Sequence, residues 1–145
     1  MVAPQHIYVA SSWKNPKQVE IVRLLRSLGH EVFDFRNPEI EGYGFNWDEV
    51  DPNWKEFKPS QVVAALDRPV AQAHFELDYK AMRWATCCVL VLPAGRSSHI
   101  EAGWFAGSNR ELHILLDQDD LGLELMYRVA TKIHPDVESL TKAFA

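Results

Sequence analysis

The chain has 145 residues, of which 47% are hydrophobic and 24% are charged, and its formal net charge at pH 7 is −5. This composition is that of a folded domain of ordinary size, and the acidic balance argues against nucleic acid as the main partner. No apolar run approaches the roughly 18 residues of a membrane span, and the first residues lack a signal-peptide pattern, so no membrane partner is expected.

The first part of the chain predicts a β-α-β unit. Residues 6–10 fit a short strand, and Asn15 and Pro16 suit the N-cap and first position of the following helix. Apolar residues recur at helical spacing until Gly29 ends that helix, and residues 31–35 fit a second strand. The crossover between two such parallel strands is expected to be right-handed.

Residues 36–71 form a long segment without regular periodicity. A segment of this length inside a compact domain is usually functional, and its density of large rings argues against disorder. Residues 59–66 within it fit a short helix. The rings either pack as a satellite core or form a lid over a ligand. They are Tyr43, Phe45, Trp47, Trp54 and Phe57.

The rest of the chain alternates between helices and strands. The predicted elements are a helix at 71–85, a strand at 87–92, a helix at 100–106, a strand at 111–116, a helix at 122–130, an extended piece at 131–134 and a last helix at 135–144. This alternation, with a strand at 87–92 that is apolar throughout, predicts a five-stranded, mostly parallel sheet covered on both faces. We predict one α/β domain over residues 1–145, a flavodoxin-like or Rossmann-like three-layer sandwich of strand order 2-1-3-4-5.

The turn after the strand at 87–92 holds the strongest candidate site. Arg96, Ser97 and Ser98 form a polar loop at the carboxyl end of this buried strand, where α/β sheets bind ligands. Glu101 follows in the predicted first helical turn, where the positive helix terminus favours an ionised carboxylate that can act as a nucleophile. Ser98 and Glu101 also fit a capping box, in which the Glu101 side chain would fold back onto the helix start. Both interpretations stay open.

Two further residues have an ordinary interpretation beside a functional one. Tyr8 lies in the middle of the first strand, where tyrosine is more often a core residue, although its buried hydroxyl would need a partner such as a carboxylate. Asp78 lies on the helix before the third strand. It is a solvated helix acid unless that helix end faces the Glu101 loop.

The polar residues at the first helix start and beside the third strand are candidates for an anion. Ser11 and Ser12, with Asn15, could bind an anion at the helix start, although the turn lacks the glycines of a phosphate loop. Arg96 could hold a phosphate or a ribose hydroxyl, or it could be an ordinary exposed arginine.

Histidine and cysteine spacing predicts neither a metal site nor a disulfide. The six histidines lack metal-ligand spacing. Cys87 and Cys88 are neighbours in one strand, point to opposite faces and cannot easily bridge each other, so they are expected to be buried thiols of a reducing compartment. We therefore expect a cytoplasmic protein without a metal or other cofactor, whose partner is a small molecule.

Three stretches together resemble the nucleoside 2-deoxyribosyltransferase family, whose relatives include nucleoside 5'-monophosphate N-glycosidases. The first stretch is IYVAS at 7–11, the second is Asp78 ahead of the third strand, and the third is EAGWFAG at 101–107. The resemblance implies that Glu101 is the nucleophile at the anomeric carbon, that Tyr8 orients it, and that Asp78 contacts the base and assists its departure.

The resemblance also implies a composite site in a homodimer or higher homo-oligomer. The segment LELM at 123–126 is similar to one that reaches into a neighbouring subunit's site. In a lid made by the aromatic segment, Asp48 or Asp51 would contact the base edge and closure would exclude water. The expected substrate-binding residues are Ser11, Ser12, Trp13, Trp47, Arg96, Ser97, Ser98, Glu124 and Met126.

We therefore predict an enzyme that cleaves the N-glycosidic bond of a (deoxy)nucleoside through a glycosyl-Glu101 intermediate and passes the sugar to another base or to water. A carboxylate at Glu124 would repel a 5'-phosphate and favours a nucleoside, whereas Arg96 favours a phosphate. The alternatives are a hydrolase of nucleoside 5'-monophosphates and a non-catalytic nucleotide-binding module on the same fold.

Overall fold

The computed structural model describes residues 2–37, 44–120 and 122–145. The chain divides into two compact units, a sheet unit of Met1–Asp34 and Met82–Ala145 and an aromatic unit of Phe35–Ala81. Tyr43, one of the rings of the predicted loop, lies outside the described residues. Among those described, no helix combines the length and the apolar character needed to cross a membrane.

The sheet unit contains a parallel sheet of five strands in the described part of the chain, in the order β2-β1-β3-β4-β5. This order confirms the predicted α/β fold. The strands are β1 (His6–Ala10), β2 (Glu31–Phe33), β3 (Cys87–Val91), β4 (Glu111–Leu115) and β5 (Lys132–His134).

The described helices follow the predicted pattern with shifted bounds. Pro16, rather than the predicted Asn15, is the N-cap of the first helix, and the Asn15 side chain accepts the Lys17 backbone N–H at 3.0 Å. Gly29 ends that helix region with a φ of 95°. The helices are α1 (Lys17–Ser27), α2 (Pro59–Leu66), α3 (Pro69–Trp84), α4 (Arg96–Gly107) and α5 (Val137–Phe144), with 3-10 turns at Trp47–Glu49, Trp54–Glu56 and Leu125–Val129.

Two predictions about helices were wrong. The predicted loop at Arg96, Ser97 and Ser98 is the first turn of α4, because Gly95 is the N-cap and its carbonyl accepts the first helical hydrogen bond from His99. The capping box is therefore not formed, and Glu101 lies in the second turn rather than the first. The predicted helix at 122–130 is only a 3-10 helix over Leu125–Val129. It cannot begin at Gly122, because Gly122 has a φ of 55° and Glu124 is extended.

Successive side chains of each strand point to opposite faces of the sheet, so each strand contributes to two separate sets of packing contacts. Ile7, Val9 and Val89 pack with apolar residues of α1 and α5 on one face. Tyr8 and Cys88 point to the other face, where Phe105 of α4 meets the Tyr8 ring at 5.7 Å. Both faces are buried, which explains the unbroken apolar run of β3.

The aromatic unit has a small core of its own. Phe45 and Trp47 meet edge to face at 4.9 Å and pack against Val50, Ala65 and Ala71. Outside that core, the Trp54 indole N–H donates to Asp48 at 2.9 Å. Phe45, Trp47 and Phe57 thus pack as the satellite-core alternative predicts.

Candidate active site

The tyrosine of β1 and the glutamate of α4 meet in the sheet unit. The Tyr8 hydroxyl donates a hydrogen bond to the Glu101 carboxylate at Oε2. The Tyr8 ring is 1% exposed and lies between Phe33, at 5.4 Å, and Phe105. Because the tyrosine is buried and packs against both rings, its hydroxyl has little freedom and fixes the position of the carboxylate.

A neutral thiol lies beside this pair. Cys88 pairs with Tyr8 in the register of β1 and β3, and it is fully buried. Burial raises the pKa of the Cys88 thiol well above its usual range, and the nearby charges of Cys87 and Glu101 raise it further. The thiol therefore stays protonated at neutral pH, and the nucleophile candidate at this place is the carboxylate of Glu101.

Side chains of the turn after β1 form hydrogen bonds with the backbone of the turn after β3. The Ser11 hydroxyl donates to the Val91 carbonyl at 2.8 Å, and the Asn15 amide donates to the carbonyls of Val91 and Pro93 at 3.3 and 3.2 Å. Both side chains are buried. The donors that a phosphate would need at this turn are thus engaged with backbone carbonyls, and they position the segment that begins α4.

The remaining candidates of these two turns differ in exposure. Ser12 accepts the Lys14 backbone N–H at 3.2 Å, and the Trp13 side chain is 48% exposed. Arg96 and Ser97 are exposed in the first turn of α4, whereas Ser98 is buried. This first turn is the part of α4 at which an approaching anion would meet unpaired backbone N–H groups.

Glu124 and Met126 line a groove beside α4. The groove has a volume of about 810 Å³, and His99, Ala102 and Tyr127 also line it. Glu101 is not among its lining residues. Within one chain, the structure therefore brings Tyr8 and Glu101 together but places Glu124 and Met126 in a separate groove.

His99 and Tyr127, which the sequence did not indicate as functional, form part of the wall of this groove. His99 Nδ1 donates to the Gly95 carbonyl at 2.7 Å, so its Nε2 accepts the Tyr127 hydroxyl, also at 2.7 Å. The two rings lie 5.7 Å apart and nearly parallel. This contact fastens the segment that carries Glu124 to the start of α4.

An ion pair at the carboxyl end of β4 is a second feature that the sequence did not predict. Lys17 Nζ lies 2.6 Å from Asp117 Oδ2, and Asp117 Oδ1 accepts the backbone N–H groups of Asp119 and Asp120. The hydrogen bond from Lys17 holds the pKa of Asp117 below its usual range. The two residues are far apart in the sequence, so no local pattern could have predicted this pair.

Asp78 and Trp47 belong to the aromatic unit. Asp78 is half-buried on α3 rather than fully solvated. Burial raises the pKa of Asp78 from 3.8 to about 6, and the charge of His74 acts in the opposite direction. At neutral pH a fraction of this carboxyl therefore still carries a proton. Trp47 belongs to the core already described.

Three side chains of metal-binding type come together in the sheet unit, although the sequence spacing predicts no metal site. They are Cys87, Glu111 and His113, whose donor atoms all lie within 4.8 Å of one another. The parallel register places Cys87 beside Glu111, with His113 two residues further along β4. Spacing within one stretch of sequence cannot reveal this arrangement.

Comparison with known proteins identifies the fold. A 2-deoxyribosyltransferase from Bacillus psychrosaccharolyticus superposes with a TM-score of 0.62 at 17% identity, over 93% of this chain and 89% of that one. A CMP N-glycosidase from Clostridium botulinum superposes with a TM-score of 0.51 at 16% identity, over 94% of each chain. No family model and no curated protein sequence matches the chain. The family resemblance found in the sequence is thus confirmed at the level of the fold.

Proposed function

We propose that this chain cleaves the N-glycosidic bond of a (deoxy)nucleoside, with Glu101 as the nucleophile at the anomeric carbon. The hydrogen bond from Tyr8 to the Glu101 carboxylate carries the proposal. A carboxylate nucleophile must be ionised and correctly oriented. The hydrogen bond that Tyr8 donates favours the ionised form, and the packing of the Tyr8 ring against Phe33 and Phe105 orients the carboxylate. The similarity of fold to a deoxyribosyltransferase and a CMP N-glycosidase supports this chemistry.

The proposed reaction has two displacements. In the first, a Glu101 oxygen forms a bond to the anomeric carbon, the bond from this carbon to the base nitrogen breaks, and its electron pair leaves with the base. In the second, a nitrogen of another base or a water oxygen attacks the same carbon and releases the Glu101 carboxylate. Two inversions at one carbon retain its configuration.

Asp78 is proposed to supply the proton that the departing base needs. A carboxyl group serves as a general acid near neutral pH only if its pKa is raised towards that pH. The pKa of Asp78, raised by burial to about 6, meets this condition. Asp78 would regain its proton from the incoming base or water in the second displacement.

A nucleoside is favoured over a 5'-monophosphate as substrate. The side-chain donors of Ser11 and Asn15 are hydrogen-bonded to backbone carbonyls, so the turn after β1 offers few side-chain donors to a phosphate. Glu124 is exposed in the groove beside α4, where its charge would repel a phosphate. Arg96, exposed at the start of α4, supports the hydrolase of nucleoside 5'-monophosphates as the second candidate.

The complete site is proposed to need a second copy of the chain. Leu123, Leu125 and Met126 are 95%, 83% and 69% exposed, which is unusual for three apolar side chains in one short segment. If this segment crosses to a neighbouring subunit, these side chains become buried, and Glu124 and Met126 contribute to the neighbour's site.

A substrate panel with one variant tests the proposal. We expect the wild type to release free base from nucleosides, or to exchange the base when a second base is added, with less activity on monophosphates. Glu101→Gln should remove this activity while leaving the fold intact, because an amide keeps the size of the side chain but is not a nucleophile. A variant within about tenfold of the wild-type rate would contradict the role of Glu101. Binding without turnover by the wild type would instead support the non-catalytic module.

A further inference from the structure

We propose that Cys87, Glu111 and His113 form a binding site for a divalent metal ion of the zinc type at the amino ends of β3 and β4. Their donor atoms lie within 4.8 Å of one another. Cys87 and Glu111 are direct neighbours across the two strands, and His113 follows Glu111 by two residues, so all three side chains point to the same face of the sheet.

The donor atoms suit zinc. One sulfur, one imidazole nitrogen and one carboxylate oxygen form a set that zinc binds, with a water completing the tetrahedron. Bonds of about 2.0–2.3 Å place the donors of such a tetrahedron within about 4 Å of each other. His113 Nε2 and Glu111 Oε2 are already 3.4 Å apart, so only small side-chain adjustments are needed.

A second layer of contacts orients His113 for this role. His113 Nδ1 lies 2.9 Å from His134 Nε2, and His134 Nδ1 lies 2.8 Å from the Ser139 hydroxyl. With the His113 proton on Nδ1 and donated to His134, the lone pair of Nε2 faces Glu111 and Cys87. A metal-bound histidine is usually held in this way by a hydrogen bond on its other nitrogen.

Charge and access also fit a divalent cation. The Glu111 side chain is 51% exposed and the His113 side chain 9%, so an ion reaches the donors from the solvent along Glu111. On binding, the S–H bond of Cys87 breaks, the sulfur bonds the metal and the proton passes to water. The thiolate and the carboxylate then balance the two positive charges of the ion.

This site is separate from the proposed nucleophile. Cys87 lies on the face that packs against α1 and α5, whereas Tyr8 and Cys88 point to the opposite face. Metal binding therefore goes beyond the proposed glycosidic reaction, and it can be tested without measuring that reaction.

Titration of the apo protein with Co²⁺ tests the proposal, because a cobalt–thiolate bond gives a charge-transfer band in the near ultraviolet. The chain has only two cysteines, so such a band reports Cys87 or Cys88. We expect the band in the wild type, its displacement by Zn²⁺, its loss in Cys87→Ser and its retention in Cys88→Ser. Both cysteines are fully buried, so Cys88→Ser is a matched control for the loss of stability that a buried serine hydroxyl causes.

Glu111→Gln tests the proposed metal site independently if Cys87→Ser does not fold. Glu111 is exposed, so Glu111→Gln should fold like the wild type. We expect it to weaken Co²⁺ and Zn²⁺ binding by about tenfold or more, because the amide lacks the charge of the carboxylate ligand. Absence of the band in the wild type, its loss only in Cys88→Ser, or unchanged affinity in Glu111→Gln would each overturn the proposal.

Discussion

Tyr8 and Glu101 are the two residues whose side chains the fold brings into direct contact at the candidate site. From the sequence, Tyr8 was more readily interpreted as a core residue, and Glu101 was equally well interpreted as half of a capping box. The helix start at Gly95 removes the capping partner, and the Tyr8 hydroxyl takes its place as donor to the carboxylate. The buried tyrosine is therefore both a core residue and the partner of the proposed nucleophile.

Removing the Tyr8 hydroxyl tests this partnership. Tyr8→Phe keeps the ring between Phe33 and Phe105 but deletes the donor to Glu101. A hydrogen bond to a charged group contributes about 1.5–3 kcal/mol, so we expect kcat to fall by about tenfold to a hundredfold. Steady-state kinetics measure the loss, and circular dichroism should show an unchanged fold. A kcat equal to that of the wild type would mean that the hydroxyl has no role in orienting Glu101.

Asp78 gives a pH-dependent prediction for stability. Its pKa is raised from 3.8 to about 6 in the folded chain, so the folded state holds the proton more tightly than the unfolded state does. The resulting loss of stability is absent below about pH 4, develops as pH rises and is complete above about pH 6. Asp78→Asn removes the titrating group, so it should melt at a higher temperature than the wild type at pH 8.

The same substitution should lower activity, because an amide cannot donate the proton that the departing base needs. Melting curves at pH 4 and pH 8 on both proteins, with turnover at neutral pH, separate the two effects. A gain in melting temperature that is equal at both pH values would show that burial does not act on this carboxyl. Unchanged turnover would remove Asp78 from the proposed mechanism.

At the scale of whole elements, α4 depends on contacts made outside the helix. Ser11 and Asn15 hold the carbonyls of the turn that leads into it, and His99 in its first turn holds Tyr127 of the following segment. Local sequence predicts a helix here, but it places the start four residues late because three polar residues resemble a loop. The hydrogen bond from His99 to Gly95 shows that they are helical.

The aromatic unit offers a prediction about Trp47. The half-buried ring packs with Phe45 against Val50, Ala65 and Ala71. Trp47→Ala should therefore lower the free energy of unfolding, by less than the roughly 3–5 kcal/mol of a fully buried tryptophan. KM and kcat should stay near the wild-type values in the folded protein. Thermal unfolding and steady-state kinetics measure the two quantities.

Trp54→Ala is the matched control for this change. Trp54 carries an equally large ring but lies outside that core, where its indole donates to Asp48. We expect a smaller loss of stability than for Trp47→Ala. A raised KM or a higher ratio of hydrolysis to transfer in Trp47→Ala, without a lower melting temperature, would instead indicate a lid over the substrate.

At the scale of the molecule, one fold is shared by sequences that are 16–17% identical to this chain. The fold is therefore compatible with different sets of side chains, and the proposed reaction must be argued from the residues of the site rather than from the fold.

The exposed apolar segment predicts an oligomer whose formation is needed for activity. Light scattering should show a dimer or a larger assembly at micromolar concentration, with an interface on the order of 2,000 Å² or more. Leu125→Glu should dissociate it and lower activity without unfolding the chain, because Leu125 is 83% exposed. Val63→Glu is the control, since Val63 is an apolar residue of α2 that is 66% exposed outside this segment. An active wild-type monomer would contradict the composite site.

The sequence by itself determined the alternation of strands and helices and the buried third strand, because periodicity and turn residues act between near neighbours in the chain. The strand order was predicted by analogy with flavodoxin-like folds, and the roles of Tyr8 and Glu101 were implied by the family resemblance. Only the tertiary structure decided that Tyr8 donates to Glu101, that Lys17 pairs with Asp117, and that Cys87 meets Glu111 and His113. Such contacts depend on strand register and helix packing between distant segments, and no local pattern contains that information.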